Sequence, residues 1–225
     1  MLSMMCVLIF LVSGYVPLDR VLAEALFLRS YLPGLANHTW SLGVEEHFYI
    51  GLPLVLVGMA RWGHDERPFR WLPAMYAVSA VTILSLRIVN AVNVPYSDAT
   101  HLFPTHLRID SLLFGVLLAY GFHFYRLPFM DFCRQNRAPL ACFGVIGMVP
   151  FFIFALETNP LIHSAGLSVA YLSSGAILMS AMGQASGEFN FGKPLFRFLS
   201  WVGYHSYSIY LWHMLVLNVL VPITV

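Results

Sequence analysis

Trp40-Ser41-Leu42-Gly43-Val44-Glu45-Glu46-His47-Phe48-Tyr49 sets two adjacent carboxylates and an imidazole at the start of an apolar run that continues through residues 50–60. Such groups move protons. A charge near the centre of a membrane-spanning helix costs roughly 2.5–3.5 kcal/mol, so such residues usually face a protein interior and do chemistry or transport. Ser41, Glu45 and Tyr49 stand at i, i+4 and i+8, close to one helical stripe, whereas Glu46 lies about 100° around the helix from Glu45. The spacing predicts Glu45 turned toward a bundle with Ser41, and Glu46 toward a neighbouring helix or the outer surface. There Glu45 could act as a base or could orient a histidine. It could equally be an interhelical hydrogen-bond anchor with no chemistry.

Further candidates lie along the chain. Ser206, Tyr210 and His213 form a polar stripe at i, i+4 and i+7, with His213 the best placed histidine for proton transfer. A histidine satisfied by an adjacent helix is the plainer reading. Arg108 stands at the mouth of an apolar run, where it could bind an anionic acceptor, neutralise Glu45 or snorkel to head groups. Asp110, two residues on, is placed to cap that run. Arg87 falls inside an apolar run, suited either to the phosphates of a donor or to a carboxylate across the bundle. His38 and His47 with Glu46 have no tight helical ligand spacing, so no metal site is expected. His101 and His106 flank Pro104 and are expected to be solvated.

Those residues need a membrane to position them. The 225-residue chain is 59% hydrophobic and only 10% charged, with a mean hydropathy of +0.73. Soluble domains carry about 25% charged residues, so the composition is that of an integral membrane protein. A formal charge of +1 with scattered Arg and Lys argues against nucleic-acid binding. Cys6, Cys133 and Cys142 have no metal or redox spacing.

Apolar runs at 2–16, 44–60, 71–92, 111–125, 139–156, 164–182 and 206–225 predict an all-α polytopic bundle of about seven spans in a single domain, 1–225. Arg61, Arg67 and Arg70, then Arg126, Arg134 and Arg137, then Lys193 and Arg197 fill alternate loops. By the positive-inside rule these loops face the cytoplasm, leaving the residues before Trp40 on the outer face. Arg20 and Arg29 run against that rule.

Three segments resemble the membrane acyltransferase 3 family. Thr39 to Tyr49 with Pro53 is similar to its WSLSVEEQFY…P signature. Arg108-Ile109-Asp110-Ser111-Leu112-Leu113-Phe114-Gly115 is similar to its R-x-D-x-L-x-x-G segment, and Ser206-Tyr207-Ser208-Ile209-Tyr210-Leu211-Trp212-His213 to its SYSIYLWH segment. Gly43 stands where serine is usual and His47 where glutamine is usual.

The resemblance implies a multi-pass enzyme of the cell (inner or plasma) membrane that O-acylates carbohydrate. Its donor would be acyl-CoA, commonly acetyl-CoA, used as co-substrate with no permanently bound cofactor. Its acceptor would be a carbohydrate or lipid-linked glycan. With that chemistry in view, the residue reading assigns catalytic roles to Glu45, Ser41 and His213, acceptor contacts to Trp40, Glu46, Tyr49, Arg108 and Tyr210, and a donor contact to Arg87. The family's catalytic histidine belongs to a span ahead of those matched here. The expectation is therefore a piece of a longer protein, inactive alone, that lacks the family's first two spans and its last. The competing expectation is a non-catalytic bundle, either a degenerate pseudoenzyme or a proton-coupled transporter using Glu45, Arg108 and His213.

Overall fold

The computed structural model describes residues 18–34, 39–62, 68–184 and 194–215. Every regular element among them is helical. The chain divides into two units, Met1–Gly183 and Gln184–Val225. In the first, α1 (Leu18–Ala25) leads through a 3-10 turn (Leu28–Ser30) to α2 (Trp40–Trp62) and α3 (Leu72–Asn93). The short α4 (Asp98–His101) and a second 3-10 turn (Thr105–Leu107) precede α5 (Ile109–Phe124) and α6 (Arg126–Gln135). Then come α7 (Arg137–Met148), α8 (Pro150–Ile153), a π-helical turn (Ile162–Gly166) and α9 (Leu167–Met182). The second unit contains α10 (Pro194–Leu215).

Local chemistry sets several boundaries. Pro73 sits in the first turn of α3, where its missing N–H costs nothing. The helix stops at Val94, extended at φ −123° and ψ 130° as a residue before proline prefers. Pro53 lies inside α2, where it removes one donor and frees a carbonyl of the preceding turn. Ser97 caps α4 by accepting from the Thr100 N–H.

Among the described residues, three helices are long and apolar enough to cross a membrane: Trp40–Arg61, Leu72–Asn93 and Ile162–Met182. A fourth span exists if α5 and α6 are counted together, but they meet at 112°. The chain is a membrane protein, and the expectation of about seven spans is wider than these residues support. The run 139–156 breaks before Pro150 into two short helices. The run 2–16 and the end of 206–225 lie outside the described residues, and α10 begins well before residue 206. Residues 126–135, read from their charge as a loop, form a helix. Its Phe129 ring lies 2.9 Å from where a Cβ on Gly121 would stand, so the sharp turn depends on that bare position.

The interior of the first unit is built where α9 packs on α5 and α7, and α3 on α5 and the π turn. Gly144 lets α7 approach α9 so closely that a Cβ there would come within 2.9 Å of the Ser173 carbonyl. Small residues are the usual means of such an approach between membrane helices.

Candidate functional site

The start of α2, the turn Leu28–Ser30 and the segment between α3 and α5 converge on the carboxylate motif. Trp40 stacks on Phe103 with centroids 5.1 Å apart and planes at 18°. Arg108 lies over the Trp40 ring at 5.3 Å and Arg29 over the Phe103 ring at 5.1 Å. Two cations thus flank an aromatic pair, an arrangement that favours both because each ring face is electronegative. Glu24 is buried beneath, its Oε1 accepting from Thr39 Oγ1 at 2.8 Å.

Arg108 is held in place from the membrane side. The Arg87 guanidinium, 2% exposed, donates from Nε to the Leu107 carbonyl at 2.8 Å and from Nη2 to Asp110 Oδ1 at 2.5 Å. Its Nη1 donates to Ser168 Oγ at 3.0 Å. One side chain on α3 therefore grips the backbone just before Arg108 and the carboxylate just after it, and ties both to α9. Of the two expectations for Arg87, the pair with a carboxylate across the bundle is the geometry present. Asp110 is wholly buried as that partner rather than serving as a helix cap. Its Oδ2 has no hydrogen-bond partner among the described residues. Loss of hydration, and next the nearby Arg87 charge, push the Arg108 guanidinium down to about 10, so it stays cationic at neutral pH.

Glu45 and Glu46 are both half-buried, with Ser41 half-buried one turn before Glu45. Tyr49, at the third position of that stripe, is 59% exposed, while Phe48 is buried. The predicted stripe thus turns outward by its second turn. His47 is half-buried beside the carboxylates, its Nδ1 2.9 Å from Thr105 Oγ1. No group of three or more His, Cys, Asp and Glu suited to a metal occurs among the described residues.

His101, expected in solvent, is only 2% exposed. Its ring packs edge-on against His163 of the π turn at 4.8 Å, with Tyr96 against both. Burial, and next His163, lower the pKa of His101, which therefore stays neutral here. His106 remains exposed and stacks on Tyr31. His213 and Tyr210 belong to the second unit. Tyr210 is half-buried on α10, and the His213 side chain, like His38, lies outside the described residues.

The chain is 29% identical over 200 residues to the peptidoglycan O-acetyltransferase OatA of Listeria monocytogenes, a match covering 85% of this chain and 30% of that protein. It is 28% identical over 183 residues to the O-acetyltransferase OatA of Staphylococcus aureus, covering 79% of this chain and 28% of that protein. This chain is similar to O-acetyltransferases. It spans less than a third of the length of either relative. No family model matches the chain. No solved structure matches it.

Proposed function

We propose that this chain forms a membrane-embedded part of an O-acyltransferase that moves an acetyl group from acetyl-CoA onto a hydroxyl of a cell-envelope carbohydrate. The similarity to two O-acetyltransferases carries this reading. A match to 85% of the chain necessarily includes residues 40–49, 87 and 108–110, the residues that assemble around Trp40 and Arg108. The arrangement suits the chemistry. Arg108 supplies a fixed cation beside the motif, suited to an anionic acceptor or to charge developing on oxygen. Glu45 supplies a carboxylate in a half-buried setting, as base or as support for an imidazole. The positive-inside pattern supports an outward orientation for this end of the bundle, where an envelope glycan would be met. The thioester brings its own leaving group, so the reaction needs no metal.

Membranes carrying this chain within the complete enzyme, supplied with labelled acetyl-CoA and peptidoglycan or lipid-linked glycan, should transfer label to the glycan as an alkali-labile ester. Glu45→Gln should lower that transfer at least about 100-fold, the usual worth of a positioned proton-transfer group. Undiminished transfer would remove Glu45 from the mechanism. Absence of transfer to any envelope glycan from any acyl-CoA would overturn the assignment.

A further inference from the structure

Trp40, expected to touch the acceptor, has its ring taken up within the protein. Phe103 stacks on it, the Arg108 guanidinium stands over it, and Arg29 stands over Phe103. Open aromatic faces beside the motif belong instead to Tyr31, 52% exposed, and to His106, also exposed. Two 3-10 turns set these rings, and they pair residue for residue. Ser30 Oγ and Thr105 Oγ1, both buried, are hydrogen-bonded at 3.0 Å. One residue on in each segment, Tyr31 Oη lies 3.1 Å from His106 Nδ1 and accepts from the His106 backbone N–H at 3.3 Å. The two rings are within 10° of parallel with centroids 5.8 Å apart, an offset stack that leaves much of each face uncovered. His47 brings a third ring from α2, 6.3 Å from Tyr31 and tilted by 31°. Its Nδ1, 2.9 Å from Thr105 Oγ1, ties it to the same buried floor.

A tyrosine that anchors a membrane interface turns its hydroxyl to water and head groups. The Tyr31 hydroxyl is instead bonded to His106 on two atoms, and flat ring surface is what the pair presents. Ring faces are electronegative, so they attract C–H groups polarised by neighbouring oxygens. A pyranose offers such C–H groups on one face and hydroxyls around its rim. His47, half-buried at the edge of the shelf, offers a polar ring edge to that rim. A planar nucleobase would lie as flat, but residues 93–107 hold no Arg or Lys for its phosphates. The nearby guanidiniums of Arg29 and Arg108 are already drawn over Phe103 and Trp40.

We infer that the Tyr31–His106 shelf is a sugar-binding subsite for the acceptor, on which a pyranose ring of the envelope glycan lies flat beside the carboxylate motif. This deepens the acyl-transfer reading above and rests on it. Tyr31 and His106 set the acceptor's affinity and move no protons. The Ser30–Thr105 bond beneath them holds the two turns together, so the shelf is formed before the sugar arrives.

Two measurements on the complete enzyme test this, one of them independent of turnover. In detergent without acetyl-CoA, a soluble disaccharide fragment of peptidoglycan should bind, and Tyr31→Leu or His106→Ala should each weaken that binding about tenfold, the worth of one aromatic contact. Tyr31→Phe and His106→Phe, which keep a ring, should retain most of the affinity. In the transfer assay, Tyr31→Leu should raise KM for the glycan about tenfold and leave kcat and KM for acetyl-CoA unchanged. Fragment binding equal to the parent's in both Tyr31→Leu and His106→Ala, or no binding by the parent, would overturn the inference. So would a loss of kcat at unchanged glycan KM, the mark of a merely structural role, or a rise in KM for acetyl-CoA, which would give the shelf to the donor. Each of those kinetic outcomes leaves the acyl-transfer reading standing. Fragment binding that follows the rings, with no transfer by any preparation, would uphold the subsite and count against the acyl-transfer reading alone.

Discussion

Gly43 shows how one side chain's absence can shape a site. It is buried on α2, and a Cβ there would lie 2.6 Å from the Phe27 carbonyl oxygen. Phe27 itself is left-handed at φ 58°, a conformation that L-residues other than glycine rarely adopt. The turn after α1 is thus driven against α2, bringing Ser30 and Arg29 to the motif. Both partners at the close contact are backbone, which cannot step aside as a flexible side chain could. Gly43→Ser, which would install the residue usual in the motif, should therefore destabilise the fold by about 1–3 kcal/mol through overpacking. Thermal unfolding in detergent reads this as a lowered Tm, and an unchanged Tm would mean that the turn yields. The departure from serine was visible in the sequence; its cause was not, because it lies in the backbone of a residue well upstream. The same holds for His47. Its presence was plain, but its contact with Thr105 is one that no spacing reveals.

At the scale of elements, the central fact is the single guanidinium joining α3, α5 and α9. Arg87 and Asp110 are both nearly sealed from solvent. Removing one partner from such a pair strands a buried charge, at roughly 3–5 kcal/mol, whereas replacing both by apolar residues is often neutral. Arg87→Leu should accordingly unfold at clearly lower temperature than the parent, and Arg87→Leu combined with Asp110→Leu should recover most of the loss. The double variant should nonetheless lower transfer activity, since the Arg87 contacts on either side of Arg108 would be gone. A double variant as unstable as the single would show that charge pairing is not what the contact supplies. Apolar length predicted α2, α3 and α9 to within a few residues at most ends, because hydropathy and helical length alone decide them. It failed where backbone detail decides: before Pro150, where an apolar run breaks, and at 126–135, whose charges suggested a loop. The Arg87–Asp110 pair was only one of two readings, since partners on different helices leave no periodic trace.

For the molecule as a whole, the question is which way these helices lie across the membrane. Arg126, Arg134 and Arg137 gather at and beside α6, and Arg61 and Arg70 lie at the facing ends of α2 and α3, whereas residues 93–107 contain neither Arg nor Lys. The helix α6 turns away from α5 at 112°. It buries Cys133 completely while leaving Leu127 78% exposed, the pattern of a helix lying in the interface with its basic residues toward head groups. If the basic loops face the cytoplasm, then α4, Arg108 and Trp40 face outward, and the site meets the envelope rather than the cytosol. A chain with its three cysteines replaced by alanine, carrying either Ala99→Cys in exposed α4 or Asp131→Cys in α6, separates the two orientations. An impermeant maleimide should label residue 99 in intact cells and residue 131 only after permeabilisation. Asp131 makes only an exposed 3.6 Å contact with Arg134, so its replacement should cost little stability. The reverse labelling would place Trp40, Glu45 and Arg108 on the cytoplasmic face, and an acceptor on the outer face could then not reach the site as proposed.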